Sequence, residues 1–179
     1  MRKTLDKLYV GSGVIASLLI AAICVLVCTQ VVFNLITRLG GGSINLTIPS
    51  YGEFAGYFLA ASSFLALAYT LTNGGHIRVN LLLTRLPPRV QLAAEVISLA
   101  VCALMSIYVS YYMAKLCLES HEFGDLSPGI VPVSLWIPQS VVLLGLIILS
   151  IALVDLLLRT ISTRKSVFEE HEDSELRRK

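Results

Sequence analysis

Charged residues are scarce in this sequence, and their scarcity excludes several classes of protein. Asp, Glu, Lys and Arg make up 15% of the 179 residues, whereas soluble domains contain about 25%. Hydrophobic residues make up 55%, which is more apolar surface than a soluble core of this size can hide and which excludes intrinsic disorder. The basic residues form no broad patch, so we expect no nucleic-acid partner. Lipid is therefore the expected solvent for most of the chain.

Residues that carry chemistry are also few. The sequence lacks a Ser/His/Asp or Cys/His triad, a phosphate-binding loop and paired buried carboxylates. Its cysteines have the spacing of neither a disulfide framework nor a metal site, and a buried cysteine behaves as a small hydrophobe. We therefore predict no catalytic residue, no cofactor and no metal site, and we expect that the chain is not an enzyme. The four cysteines, all within or beside apolar runs, are Cys24, Cys28, Cys102 and Cys117.

Four long uncharged runs remain, and each has the ~20 residues that cross a membrane as a helix. Glycine-rich and proline-rich segments separate them. Pro138 either begins the fourth helix or kinks it. We predict an all-α integral membrane protein with one membrane domain over residues 1–179. Its predicted transmembrane helices lie at about residues 10–36, 51–73, 89–118 and 133–158, followed by a cytoplasmic tail at 159–179.

The Lys and Arg residues orient these helices. Twelve of the 14 lie in the N-terminal arm, in the connection between the second and third helices, or in the C-terminal tail. The positive-inside rule places these segments, and thus both termini, in the cytoplasm. Trp136 then lies near the outer membrane interface as an anchor, because amphipathic aromatic side chains prefer that level.

The segment at residues 77–86, between the second and third helices, is too short to cross a membrane and too apolar for a free loop. We predict a short helix that lies in the cytoplasmic interface. Arg78 and Arg85 are seven residues apart and share one face, from which they reach lipid head groups. The alternative is an irregular loop packed under the helices.

Small residues recur at intervals of four in the second helix, at Gly52, Gly56 and Ala60. Such a ridge lets another helix approach closely. We expect this packing contact within the chain, and a contact with a partner chain is the alternative.

No Asp, Glu, Lys or Arg lies in the middle of a predicted span, although such charges usually mark a transport pathway. The polar groups at mid-depth are few, so a coupled pump with its own ion site is not expected. Instead, we expect the polar residues to serve subunit contact or structure. These candidates are Gln30, Asn34, Glu53, His76 and Asn80.

Short motifs along the chain resemble the small membrane subunit of a tripartite ATP-independent periplasmic (TRAP) transporter. Gln30-Val31 resembles the family's Gln-Val in helix 1, and Asn34 stands where an Arg is frequent. Tyr51-Gly52-Glu53 matches an aromatic-x-Glu signature at the start of helix 2. The segment from His76 to Asn80 is close to His-Ile-x-Val-Asp, with Asn80 in place of the common Asp. Trp136-Ile137-Pro138 followed by Gly145 resembles the start of the family's helix 4.

The resemblance implies a function as well as a fold. In this family a periplasmic protein captures an organic acid, such as a dicarboxylate or sialic acid, and a large membrane subunit imports it with a sodium gradient. The small subunit is implied to be a scaffold in the bacterial inner membrane that binds and stabilises the large one. Its expected partners are the large subunit, the substrate-binding protein and membrane lipids, and sodium coupling belongs to the large subunit.

Two roles for Glu53 and two other classes of protein stay open. Glu53 lies at the N-terminal end of helix 2, where the helix dipole favours an anion. It either serves only that local role or accepts hydrogen bonds from the large subunit or an adjacent helix. The other classes are an independent small transporter or channel that works as an oligomer, and a membrane redox protein that uses cysteines or haem.

The orientation predicts the behaviour of reporter fusions. A reporter that is active only in the periplasm should stay silent when fused after Lys179 and should be active when inserted near Gly41. Activity would be measured in intact cells, with the same reporter in the cytoplasm as the control. The reverse pattern would contradict the orientation or the number of helices.

Overall fold

The computed structural model of the chain describes residues 2–39, 46–72 and 87–163, and most of them are helical. Four of the helices are long and apolar enough to cross a membrane. The described residues form no strand beyond an isolated bridge between Leu126 and Ser134, so the all-α fold with four helices of membrane-spanning length is confirmed. The helices are α1 (Arg2–Leu39), α2 (Tyr51–Thr72), α3 (Pro88–Glu122) and α4 (Trp136–Thr163).

Three helices extend beyond their predicted bounds because the uncharged runs mark only the part that lies in hydrocarbon. The helices α1 and α3 contain 38 and 35 residues, well over the ~20 that cross the apolar layer. Charged side chains continue the helices into water, as in the pair of Lys115 and Glu119 at 3.6 Å on α3. On α4, Arg159 belongs to the helix and pairs with Asp155, although the sequence assigned it to the tail.

The start of α4 answers the question that Pro138 left open. The helix begins at Trp136, so Pro138 lies in its first turn. The missing N–H of a proline costs nothing there, because the first N–H groups of a helix have no partner within the helix. The predicted interfacial segment at 77–86, with Arg78 and Arg85, and the end of the tail at 164–179 lie outside the described residues.

The helices pack in the spatial order α1, α2, α4, α3. The main contacts join α1 to α2, α2 to α4, and α4 to α3, and a much smaller contact joins α1 to α4. The α1–α2 and α3–α4 connections lie together at one end, which is called the Glu53 end below. This order makes α1 and α3 the outer helices, and both expose long apolar faces.

The core consists of two small clusters rather than one large one. The first joins α1, α2 and α4, and the second joins α3 and α4; small side chains let the helices approach each other. In lipid, helices associate through such packing and through hydrogen bonds, because apolar side chains gain little by leaving hydrocarbon. The buried members are Tyr9, Ala16, Leu65, Ala68, Ile148 and Ala152 in the first cluster, and Leu99, Ala103, Leu153 and Leu156 in the second.

Serine hydroxyl groups add polar contacts between α3 and α4. The Oγ atoms of Ser106 and Ser150 are 2.8 Å apart, and those of Ser110 and Ser150 are 3.3 Å apart. Ser150 also donates to the carbonyl oxygen of Leu146. Hydrogen bonds between membrane helices contribute about 0.6 kcal/mol each on average. The cluster therefore supports the helix contact at moderate strength.

Two glycines allow close approaches between helices, but they are not the glycines that the sequence indicated. A Cβ at Gly145 on α4 would lie 2.8 Å from the backbone carbon of Phe64 on α2. A Cβ at Gly13 on α1 would lie equally close to the ring of Tyr69. By contrast, Gly52 and Gly56 are exposed, and a Cβ at either would meet no atom within 4 Å.

Of the ridge expected along Gly52, Gly56 and Ala60, the two glycines therefore make no helix contact within the described residues. Among the described residues, no other helix packs against Gly52 or Gly56. The spacing of small residues defines a ridge, but it does not define what the ridge faces. The core-facing side of α2 instead carries Ala61, Ser62, Leu65 and Ala68.

Replacing Gly145 should test the α2–α4 approach. We expect Gly145→Ala to destabilise the chain by about 1–3 kcal/mol, because the new methyl group overlaps the α2 backbone. Gly56→Ala is the matched control, since it makes the same chemical change in open space and raises helix propensity equally. The measurement is the free energy of unfolding in mixed micelles at increasing SDS. Equal stability of the two variants would contradict the close approach.

Candidate functional site

Polar side chains gather at the Glu53 end, around the start of α2. They link three pieces of chain: the C-terminal part of α1, the segment at residues 46–50, and the α3–α4 loop at residues 123–135. We call this cluster the polar junction. Its members are Gln30, Thr47, Ile48, Ser50, Glu53, Ser127, Gly129 and Val131.

Gln30 holds the α1–α2 connection against α1. Its side chain is only 3% exposed. The Nε2 atom donates to Thr47 Oγ1 at 2.9 Å and to Asn34 Oδ1 at 3.2 Å, and Oε1 accepts from the backbone N–H of Ile48 at 2.9 Å. Since α1 continues to Leu39, the chain turns back and passes beside Gln30 before α2 begins. The Gln30 amide thus provides the backbone of this segment with a hydrogen bond that water would otherwise supply.

Ser50 forms the start of α2 and also holds the α3–α4 loop. Its backbone φ is 55°, an unusual value for a residue other than glycine. Its carbonyl oxygen accepts from the N–H groups of Glu53 and Phe54 at 3.0 and 3.2 Å. Its Oγ atom accepts from the N–H of Val131 at 3.0 Å. These bonds offset the conformational cost of the turn.

Glu53 lies in the first turn of α2, where the helix dipole favours its negative charge. Its carboxylate accepts a hydrogen bond from Ser127 Oγ at 3.2 Å. Ser127 is buried and its Oγ also accepts from the N–H of Val133. The carboxylate lies directly against Gly129, where any Cβ would overlap it. Glu53 therefore combines its local role at the helix end with a contact to another part of the chain.

The α3–α4 loop is closed by backbone hydrogen bonds and by aromatic contact. The Leu135 N–H donates to the backbone carbonyl oxygen of Asp125 at 3.0 Å. The Trp136 ring meets the His121 ring at a centroid distance of 5.3 Å, nearly edge to face. Cys117 Sγ lies 3.5 Å from the carbonyl oxygen of Trp136. Trp136, predicted as an interface anchor, thus lies at the N-terminal end of α4 and also contacts α3.

The structure brings some of the predicted site residues together and leaves others apart. Gln30 and Asn34 contact each other, and Glu53 lies in the same junction. His76 and Asn80 lie outside the described residues. The sequence reasoning missed Thr47, Ser50, Ser127 and Gly129; the only signal was the turn-forming Ser-Pro-Gly at residues 127–129. It could not identify partners that are 74 positions apart, such as Glu53 and Ser127.

The chemistry of the junction is that of a structural contact. Amide, hydroxyl and carboxylate groups bond to one another there and to nearby backbone N–H groups. Within residues 2–39, 46–72 and 87–163, no three His, Cys, Asp or Glu side chains are grouped to hold a metal ion. The cysteines in these ranges are free thiols.

Comparison with known proteins gives this architecture a family. The model of the family "Tripartite ATP-independent periplasmic transporters, DctQ component" matches residues 23–163, which include the polar junction and all of α4. The chain belongs to this family. It is therefore a TRAP transporter small subunit, a multi-pass membrane protein and a transport component rather than an enzyme.

One curated relative of this TRAP small subunit covers most of both chains. The ectoine TRAP transporter small permease protein TeaB of Halomonas elongata is 24% identical over 164 residues, which are 89% of this chain and 83% of that protein. No solved structure matches the chain. This match supports the same family assignment over most of the TRAP small subunit.

Removal of the Gln30 amide should loosen the α1–α2 connection. We expect Gln30→Leu to cost about 1–3 kcal/mol, because the Ile48 N–H loses its partner beside a buried side chain. Hydrogen exchange at Ile48 should accelerate, measured by mass spectrometry of the peptide that contains residues 46–50. Asn34→Ala is the control, since Asn34 is exposed and accepts only one bond. Unchanged exchange in Gln30→Leu would show that the amide does not hold the segment.

Proposed function

We propose that this TRAP small subunit is the scaffold that binds and stabilises the large membrane subunit of its transporter. The observation that carries the proposal is the exposure of its outer helices. In their most apolar stretches, only 11% of the residues of α1 and 22% of those of α3 are buried within the chain, against 39% for α4. A bundle with so little of its surface buried has broad apolar faces available to another membrane protein.

The small subunit itself holds little material for a transport path. In the described spans, the polar groups at mid-depth bond to their own helix or to a neighbouring helix. Ser62 and Ser63 donate to the carbonyl oxygen of Leu59, and Ser106 pairs with Ser150. Because transport paths usually carry intramembrane charge or open polar groups, substrate movement and sodium coupling are assigned to the large subunit.

In this proposal the chain lies in the bacterial inner membrane with both termini in the cytoplasm. The excess of Lys and Arg in the terminal segments and in the α2–α3 connection supports that orientation. The polar junction then lies at the periplasmic end, on the side where the substrate-binding protein delivers its cargo. Membrane lipids cover the faces that no subunit occupies.

The proposed cargo is an organic acid, selected by chains other than this one. A dicarboxylate and sialic acid are both candidates. Ectoine, in the name of the relative from Halomonas elongata, is a further candidate to assay. The junction residues of this subunit bond to one another rather than lining an open polar site, so the choice among the three belongs to the partner chains.

Two measurements test the scaffold. A tagged large subunit from the same cells should retain this chain through purification in mild detergent. The chain alone in liposomes should import none of the three candidate substrates under a sodium gradient, whereas liposomes with all three transporter components should import one of them. Uptake by the single chain would contradict the scaffold and support an independent oligomeric transporter.

A further inference from the structure

A cluster of tyrosines lies on the outer face of α3. Tyr108, Tyr111 and Tyr112 are 60%, 67% and 52% exposed. They lie on the side of α3 opposite the residues that pack on α4, among them Leu99 and Ala103, because the two sets are about half a helical turn apart. No helix of the described chain covers them, so a large aromatic surface faces outward. We call it the tyrosine face.

The Tyr112 ring contacts the rings of Tyr108 and Tyr111, so the three form one surface. The ring centroids of Tyr108 and Tyr112 are 4.7 Å apart with tilted planes. Those of Tyr111 and Tyr112 are 5.5 Å apart, edge to face. Such pairs are favourable arrangements of aromatic rings. The rings therefore restrict one another's movement before any partner binds, which lowers the entropic cost of binding.

The position of these tyrosines along α3 places them inside the hydrocarbon layer. The 19 residues between Glu95 and Lys115 carry no charge and rise about 29 Å, close to the ~30 Å of the apolar layer. Tyr108, Tyr111 and Tyr112 lie seven, four and three residues inside Lys115, at depths of about 10, 6 and 4.5 Å. Helical side chains also lean toward the N-terminus of their helix. These rings therefore point toward the middle of the bilayer and away from the nearer head groups.

At that depth the hydroxyl groups need partners that lipid tails cannot provide. The Tyr108 and Tyr112 rings are in contact, so the hydroxyl donors of this face lie side by side in an apolar layer. Within the part of the chain that the structure describes, the Tyr111 hydroxyl group has no hydrogen-bond acceptor. A hydroxyl without a partner in hydrocarbon costs free energy, whereas a neighbouring helix with a carbonyl or hydroxyl acceptor removes that cost.

The other outer helix offers a comparison within the same chain. The exposed side chains of α1 include Leu18, Val25 and Val32 at 65%, 66% and 51% exposure. These aliphatic groups are satisfied by lipid tails and carry no polar atom. Tyrosine and methionine, by contrast, are enriched in protein interfaces, and Met105 is exposed beside the tyrosine face. The two outer faces therefore suit different neighbours.

We propose that the tyrosine face of α3 is the surface on which the large TRAP subunit docks. The occupant is a transmembrane helix of that subunit with hydrogen-bond acceptors at the level of Tyr108 and Tyr111, and the aliphatic face of α1 remains in lipid. This inference rests on the scaffold function proposed above and specifies which face performs it.

Site-specific crosslinking tests the face in the complete transporter. A photoreactive benzoyl-phenylalanine is placed at position 108 or 111 of α3 and, as controls, at position 18 or 25 of α1. Membranes with a tagged large subunit are irradiated. We expect crosslinks to the large subunit from positions 108 and 111 but not from positions 18 and 25. Products with lipid alone from the α3 positions would overturn the proposal in favour of an aromatic belt in the membrane.

Removal of the hydroxyl groups alone tests the hydrogen bonds. The triple variant Tyr108→Phe, Tyr111→Phe and Tyr112→Phe keeps the rings. It loses the two interhelical hydrogen bonds expected at Tyr108 and Tyr111, and at their average strength its association should weaken about 8-fold. Association is measured by energy transfer between labelled subunits in liposomes, and Tyr51→Phe on α2 is the control. Circular dichroism checks that the triple variant keeps its helices. Association equal to that of the parent would overturn the role of the hydroxyl groups.

The outcomes also separate this inference from the scaffold function. If the unmodified chain binds the large subunit but crosslinks form from α1 instead of α3, the tyrosine face is wrong and the scaffold stands. If the unmodified chain does not bind the large subunit at all, the scaffold function fails, and the docking surface fails with it.

Discussion

The contact between α2 and α4 is the interaction on which the rest of the structure depends. The helix α1 packs mainly on α2, and α3 packs on α4, so this contact joins two helical hairpins into one unit. Gly145 is a point of close approach in this contact, since it lies against the α2 backbone at Phe64. The polar junction is a second contact between the two hairpins. At the Glu53 end, Ser50 and Glu53 of the first hairpin form hydrogen bonds with the loop of the second. Helix packing and hydrogen bonds therefore join the same two hairpins.

The number of helices was predictable because each span needs an uncharged apolar run long enough to cross the hydrocarbon layer, and such runs are visible in the sequence. Helix ends were less predictable, since charged residues such as Glu119 extend a helix into water. Partners in space were not predictable from spacing. Gly52, Gly56 and Gly145 are all glycines in apolar helices and look alike in the sequence. Only the fold shows that the first two lie on an open face and that Gly145 lies at a helix contact. Likewise, Gln30 was recognisable as an unusual polar residue, but its bond to Ile48 depends on the path of the connection.

The motifs that resemble the family coincide with structural positions. Gln30 holds the returning connection, Glu53 holds the loop of the other hairpin, and Gly145 allows α2 and α4 to meet. A family signature composed of such residues marks an architecture rather than a substrate. This agrees with a chain that belongs to the TRAP small subunits.

The order of the helices in space also bears on how the protein is made. Translation produces α4 last, yet α4 lies between α2 and α3 in the finished bundle. The first hairpin can close in the membrane as soon as α2 has emerged from the ribosome. In contrast, α3 must wait for α4 before it meets its main neighbour in the chain. A ribosome that stops before Trp136 would thus leave α3 without a neighbour and open to quality-control proteases.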